Sequence, residues 1–237
     1  ESFKKFPSFV NSCKIIVHEK SPNLIKRQKA NIKFKDIKWV DSLKKIDRLP
    51  SIFLANEFFD SLPIKQFLKD KNIWSEKFIH TSIDKKLSFV NKNIDIKKVE
   101  KKINFKISEK QNFIEYSPLG LRYLKDIFKL IKKNKGGLLI IDYGYFSERM
   151  KDTLQAIHKK KYSKVLENIG KSDITYNINF HFIKKIVKDF KDLDVNFTSQ
   201  KKFLTNLGIH QRAEVISKDK SFTEKIDIFY RLKRLIN

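Results

Sequence analysis

Residues 51–63 read SIFLANEFFDSLP, an apolar run of strand length that ends in Asn56, Glu57 and Asp60 set around two phenylalanines. A carboxylate left in apolar surroundings costs several kcal/mol unless it is paired or hydrogen-bonded. Acids at the end of a buried strand therefore need a partner, and that partner can be a ligand. Working outward, CKIIVHE (13–19) is another short apolar run ending in an acid, and SPNLIKRQKA (21–30) follows it with a Ser-Pro helix start and helical spacing. IKFKDIKWV (32–40) reads as a strand and DSLKKI (41–46) as a helical turn. Further on, SPLGLRYLKDIFKLIKKN (117–134) is a helix with a basic last turn, and GGLLIIDYG (136–144) is the clearest buried strand in the chain, ending in Asp142 and Tyr143. Strands alternating with helices specify an α/β protein with a parallel sheet, in which the 136–144 strand should lie centrally.

Residues 64–116 have a different texture, alternating apolar and polar residues with turn-like KDKN and DKK breaks. They read as an antiparallel β-meander inserted into the α/β frame, which divides the chain into 1–63, 64–116 and 117–237. The stretch 145–180 has weak periodicity and is too long for an idle connection, so it is expected to form a lid. HFIKKIVKDFKDL (181–193) is a helix, VNFTSQ (195–200) an edge strand, KKFLTNLG (201–208) a short helix closed by Gly208, and SFTEKIDIFYRLKRLI (221–236) a final amphipathic helix.

The 237 residues, 41% of them hydrophobic, can supply a sizeable core. The formal charge of +25 would ordinarily point to nucleic acid. Only seven of the 52 basic residues are Arg, however, and the lysines are spread along the whole chain. Base and phosphate recognition favours the Arg fork, so a solvated Lys-rich surface is the better reading and nucleic acid is set aside as a partner. The single Cys13 excludes an internal disulfide and reads as a core residue inside a strand. No apolar stretch is long enough for a membrane span and no secretory signal pattern occurs, so a soluble intracellular protein without membrane insertion is expected. The start at Glu1 without Met suggests a piece of a longer chain.

In an open parallel sheet, ligands bind outside the carboxyl ends of the strands. Three strand ends here carry acids: Glu19, the Asn56-Glu57-Asp60 group and Asp142. An acid after a strand of a nucleotide-binding unit can accept two hydrogen bonds from a ribose diol. The plainer alternatives are a loop acid at Glu19 and a helix cap or lysine ion pair at Glu57. Other chemistries fit less well. The five histidines, at 18, 80, 158, 181 and 210, lack metal-ligand spacing, and no Gly-x-Ser-x-Gly elbow occurs. His18 reads as packing, and the Gly136-Gly137 pair precedes its strand and so is no phosphate loop.

In order along the chain, VHEKSPNL (17–24), IKWVDSL (37–43), NEFFDSLP (56–63), IEYSP (114–118), IDYG (141–144), SDITYNINF (172–180) and SQKKFLTNLGI (199–209) resemble the MidA-like family of class I S-adenosylmethionine-dependent methyltransferases, which includes the mitochondrial complex I assembly methyltransferase. The sequence departs from the family pattern in places: the Gly-rich loop that cradles the cofactor's methionine part would lie upstream of Glu1, a closing strand would lie beyond Asn237, and Asn177 and Asn179 stand where the family often has Asp. The resemblance implies a seven-stranded Rossmann-like sheet with the inserted meander and lid, S-adenosyl-L-methionine as cofactor, and methyl transfer to an arginine of a protein substrate of the complex I subunit type. It makes 1–63 the cofactor half, places Glu19 on the cofactor ribose and Asp41 and Ser42 beside the adenine, adds Asn56 to the cofactor site, and sets NEFFD in the catalytic loop.

A guanidinium is a poor nucleophile while its charge is delocalised; carboxylates gripping two of its N–H groups can hold the charge on one side and free the attacking nitrogen. Glu57, with Asp60 or Asp142 as second acid and Tyr143 beside them, is the expected grip. Phe58, Phe59 and Tyr143 would wall the pocket, and Asp173 and Thr175 would reach it from the lid. The resemblance further implies a bacterial cytoplasmic or mitochondrial matrix location and is compatible with a homodimer. A non-catalytic assembly chaperone on the same fold and an RNA methyltransferase are the competing readings.

Overall fold

The computed structural model describes residues 6–32 and 37–236. In chain order the first elements are α1 (Pro7–Ser12), β1 (Ile15–His18), α2 (Pro22–Asn31), β2 (Ile37–Val40) and β3 (Ser51–Asn56). Next come β4 (Lys65–Asp70), β5 (Ile73–Thr81), β6 (Leu87–Ile94), α3 (Ile96–Ile103), β7 (Phe113–Tyr116), α4 (Pro118–Asn134) and β8 (Gly136–Ile141). The last part holds β9 (Gly144–Tyr145), β10 (Gln155–His158), β11 (Lys161–Ser163), β12 (Asp173–Thr175), β13 (Ile178–Asn179), α5 (Phe180–Lys188), α6 (Gln200–Asn206), α7 (Ile209–Ser217) and α8 (Phe222–Ile236). They fall into two compact units, residues 1–53 with 122–138, and residues 54–121 with 139–237.

In the first unit, β1 and β2 pair in parallel with Ile15 opposite Ile37, and the strand–helix–strand order matches the sequence reading. Ser21 caps α2 by accepting from the Leu24 N–H, and Pro22 sits at the first helical position, where its missing N–H costs nothing. Of the expected 32–40 strand, residues 33–36 lie outside the described residues, Ile32 is the C-cap of α2, and Ile37–Val40 form β2. Cys13 lies between α1 and β1, not inside a strand as expected, and is partly exposed. The part of α4 in this unit buries Leu124, Ile127, Phe128 and Ile131, one face at helical spacing. Gly136 has φ +125°, and a Cβ there would lie 2.0 Å from the Ser51 carbonyl oxygen, so only glycine fits where β8 meets β3.

Hydrogen bonds from Ser51 N–H to the Lys135 carbonyl and from Glu57 N–H to the Ile141 carbonyl advance together, so β3 and β8 run in the same direction. Parallel pairing among the described residues consists of β1 with β2, β3 with β8, and a two-residue contact of β9 with β13, short of the seven strands implied by the resemblance. β8 pairs with β3 alone and is half-buried along most of its length, so its expected central place is not seen among these residues.

The second unit is built on a four-stranded antiparallel sheet in the order β6-β5-β4-β7. It differs from a plain meander: α3 intervenes after β6, and β7 returns to the far side of β4. Lys71 and Asn72 both take positive φ, as a two-residue hairpin turn between β4 and β5 requires. Phe67, Trp74, Ile114 and Tyr116 alternate onto one buried face, where Tyr116 meets the Phe182 ring of α5. The opposite face carries Gln66 and Glu115, also buried.

The 145–180 stretch, expected to form a lid, contains a small antiparallel sheet in the order β11-β10-β12. The expected strand at 195–200 is absent; Ser199 instead caps α6 by accepting from the Lys202 N–H. Gly208, with φ +78°, ends α6 and at once starts α7, a helix the sequence reading did not anticipate.

Candidate functional site

β3 delivers the acid-bearing segment. Its last hydrogen bond, from the Glu57 N–H to the Ile141 carbonyl, is 2.8 Å long, and Glu57 then adopts φ +45°, a left-handed conformation uncommon for a residue with a Cβ. Such strain persists only where surrounding contacts over-determine it, and it clusters at functional sites. Two contacts do so here. Phe59, 1% exposed, anchors the turn and meets Phe58 edge to face at 5.1 Å. Asp142, just past β8, accepts the N–H groups of Phe59 at 3.0 Å and Asp60 at 3.3 Å on Oδ2, and the Tyr143 N–H at 2.9 Å on Oδ1.

Asp142 thus spends most of its acceptor capacity on the backbone and fixes the turn. Desolvation, reinforced by the charge of Asp60, still pushes its carboxyl up to about 6 against the three N–H bonds. Asp60 is only 4% exposed, and its Oδ1 has no hydrogen-bond partner among the described residues. Burial, then the charges of Glu57 and Asp173, raise its carboxyl above the ordinary range. Tyr143 is 62% exposed and hydrogen-bonds the Glu57 side chain, whose charge raises the phenol.

Of the expected site residues, Glu57, Phe58, Phe59, Asp60, Asp142, Tyr143 and Asp173 therefore come together. Thr175 does not join this cluster by a hydrogen bond; its hydroxyl accepts from the Gln155 side chain at 3.2 Å. Asn56 ends β3 with its side chain exposed.

Sequence reasoning missed Glu115, Thr153 and Tyr176. Glu115 is buried and accepts from Gln66 Nε2 at 2.6 Å and from both the N–H and the hydroxyl of Thr153. Tyr176 is buried, and its phenol is raised by burial and then by the charges of Asp142, Glu115 and Asp60. The signal was present at Glu115: an acid between Ile114 and Tyr116 on a four-residue strand has to face something.

In the first unit, Glu19 follows β1 and is half-buried. Its Oε1 accepts the N–H groups of Lys20 and Ser21 at 2.8 and 2.9 Å, and its Oε2 accepts from Gln28 Nε2 at 3.3 Å. Gln28 is held in turn by the Trp39 indole N–H at 2.8 Å, so the acid is oriented and keeps lone pairs on Oε2 for a ligand hydroxyl. That fits a ribose-binding carboxylate. The expected adenine neighbours are occupied: Asp41 pairs with Lys45 at 2.8 Å, and the Ser42 hydroxyl caps the short turn Leu43–Lys45. His18 packs edge to face on Tyr123 at 5.3 Å, and burial lowers its pKa, as its reading as a packing residue requires. Among the described residues no cluster of His, Cys, Asp and Glu could hold a metal ion.

The sequence profile of an S-adenosyl-L-methionine-dependent methyltransferase family matches residues 1–198. Among similar proteins, the mitochondrial protein arginine methyltransferase NDUFAF7 of Xenopus tropicalis is 29% identical over 241 aligned residues, covering 90% of this chain and 55% of that protein. The mitochondrial homolog from Caenorhabditis elegans is 28% identical over 197 residues, covering 80% and 46%. The chain thus spans about half the length of these relatives. Two crystal structures of proteins from Burkholderia thailandensis share the fold. One, solved in native form, has a TM-score of 0.77 at 18% identity and is covered over 62% of its length; the other, bound to S-adenosyl-homocysteine, has a TM-score of 0.74 at 17% identity and 60% coverage. No described helix is long and apolar enough to cross a membrane. On the match across residues 1–198, this chain belongs to the family of S-adenosyl-L-methionine-dependent methyltransferases.

Proposed function

We propose that the protein containing this chain methylates an arginine side chain of a protein substrate, and that the cluster around Glu57 and Asp60 receives the guanidinium. The observation that carries the reading is the Asp60 carboxylate oxygen, buried and without a hydrogen-bond partner among the described residues, with Glu57 and Asp173 beside it. A buried acid in this state is costly, and a cation with several N–H donors removes the cost. A planar guanidinium offers five donors in a fixed fork. The names of the mitochondrial relatives support the same substrate class and a mitochondrial setting.

S-adenosylmethionine, when bound, supplies a methyl group on a positively charged sulfur, with Glu19 as the residue that would hold its ribose. The residues of this chain then have three tasks. Glu57, steadied by the Tyr143 hydroxyl, and Asp60 grip two N–H groups, which keeps the positive charge on their side and leaves the remaining nitrogen to attack. Phe58 and Phe59 exclude water from that approach, and alignment in a dry site can be worth roughly 7 to 11 kcal/mol. The nitrogen that gains a methyl group must also lose a proton, which goes to water once the methyl group has been transferred. Asp142 acts as a positioning residue by holding the turn.

The test uses the full-length protein that contains this chain. Glu57→Gln should lower the rate of methyl transfer to arginine peptides by about 100-fold or more, the scale of losing one charge-stabilising group, with cofactor affinity by calorimetry unchanged. Glu19→Ala should weaken cofactor binding first. Equal loss of cofactor binding in Glu57→Gln would overturn the reading and make Glu57 a cofactor or folding residue.

A further inference from the structure

Glu115 and Thr153 have no part in that chemistry, yet among the described residues of the second unit they form a polar group joined by several hydrogen bonds around the buried Glu115. Gln66 and Glu115 stand opposite each other on β4 and β7. Gln66 Nε2 donates to Glu115 Oε2 at 2.6 Å and to Asp152 Oδ1 at 2.7 Å, and Lys77 Nζ reaches Asp152 Oδ2 at 3.2 Å. The Thr153 N–H and hydroxyl both donate to Glu115 Oε1. A hydroxyl has one proton, so committing it to a carboxylate turns the lone pairs the other way. They accept the Asn177 N–H at 2.8 Å.

Asn177 is the middle residue of a three-residue strap. The Tyr176 N–H donates to the Asp60 carbonyl at 3.2 Å and the Ile178 N–H to the Tyr143 carbonyl at 2.8 Å. Three successive N–H groups therefore go to three places: the segment with Glu57 and Asp60, the segment with Asp142 and Tyr143, and Thr153. We infer that Glu115 and Thr153 are positioning residues that, through the strap 176–178, fix both acid-bearing segments to the antiparallel sheet. A half-satisfied network of this kind would cost more than none, and among the described residues no buried side-chain atom of Gln66, Glu115 or Thr153 lacks a partner. The inference rests on the reading of Asp60 and Tyr143 as site residues.

The test compares Thr153→Val and Thr153→Ser in the full-length protein. In Thr153→Val, amide hydrogen exchange at residues 176–178 should quicken roughly tenfold, the scale of losing one hydrogen bond, while the β5 and β6 amides exchange as in the wild type. The kcat for methyl transfer should fall with KM for S-adenosylmethionine unchanged, and Thr153→Ser, which keeps the hydroxyl, should restore both. Unchanged exchange at 176–178 overturns the inference, and so does protection lost evenly through β5 and β6, which would make Thr153 an ordinary stability residue. If the wild type transfers no methyl to arginine peptides, the proposed function fails while the exchange measurement still decides the role of Thr153.

Discussion

Replacing Asp142 with Asn keeps the shape of the side chain and removes its charge, and the structure gives the effect a sign that depends on pH. The Asn carbonyl can take over the bonds from Phe59 and Asp60, but its NH2 then faces the Tyr143 N–H, which now meets the carboxylate at 2.9 Å. Losing that bond costs about 1–2 kcal/mol. Against it stands the burial of the charge. The folded carboxyl titrates at about 6 against an ordinary 3.8, so the folded state binds the proton more tightly and stability falls as pH rises through that window. At about 1.4 kcal/mol per pH unit the ionised group destabilises the fold by roughly 3 kcal/mol at neutral pH, halved to ~1.5 because the site keeps some contact with water. The two effects nearly cancel near pH 7. Below about pH 5 the wild-type acid is protonated and its hydroxyl oxygen still offers a lone pair to Tyr143, which the amide nitrogen lacks. Urea unfolding followed by tryptophan fluorescence should therefore find the variant within ~1 kcal/mol of wild type near pH 7 and ~1–2 kcal/mol less stable near pH ~3.5, below the unfolded value of 3.8. A difference that stays constant across that range, or shrinks toward acid, would refute the assignment of a desolvated, backbone-bound carboxylate at Asp142.

Gly144→Ala would put a Cβ 2.4 Å from the Ile178 carbonyl oxygen and 2.5 Å from the Phe180 ring, where neither backbone nor ring can yield cheaply. It should cost about 2 kcal/mol or more by overpacking and lower Tm by several degrees, and a melt within a degree of wild type would mean that β9 and β13 can separate freely. Ser117→Ala removes the buried hydroxyl that accepts the Gly120 N–H at 2.9 Å at the start of α4. A loss of about 1 kcal/mol in chemical denaturation is expected, and no change would show that water or another group takes over the cap.

The elements legible in the sequence were those whose reasons are local. Ser21-Pro22 and Ser117-Pro118 announced α2 and α4 because a serine cap and a proline at the first turn need only their own neighbours. The KDKN break announced the β4–β5 hairpin for the same reason, since Lys71 and Asn72 take the positive φ that its turn demands. What escaped depends on distant partners. VNFTSQ carries the alternation of a strand but pairs with no strand among the described residues, and its Ser199 serves the helix that follows. At the site, the acids could be picked out by their place after apolar runs, but their division of labour could not. Asp60 and Asp142 look equivalent in the sequence; three backbone N–H groups, two of them more than eighty residues away, make one a brace and leave the other with a carboxylate oxygen to offer.

The same distinction bears on charge. A formal +25 describes a surface on which lysines stand scattered in water, and at physiological salt their fields fade within about 8 Å. Asp60 and Asp142 work at shorter range, and burial rather than composition gives them force, since desolvation is the largest cause of the raised carboxyl at both, while Glu57 and Asp173 stand exposed beside them. A cationic side chain would meet repulsion from the protein as a whole and attraction from these acids. On the proposed function, such a site would select a guanidinium that can be inserted and desolvated, and give little hold to one that only approaches the surface. Under the proposed function that is the discrimination required of the site, and it follows from where a buried and a half-buried carboxylate sit in a chain that has 27 acids in all.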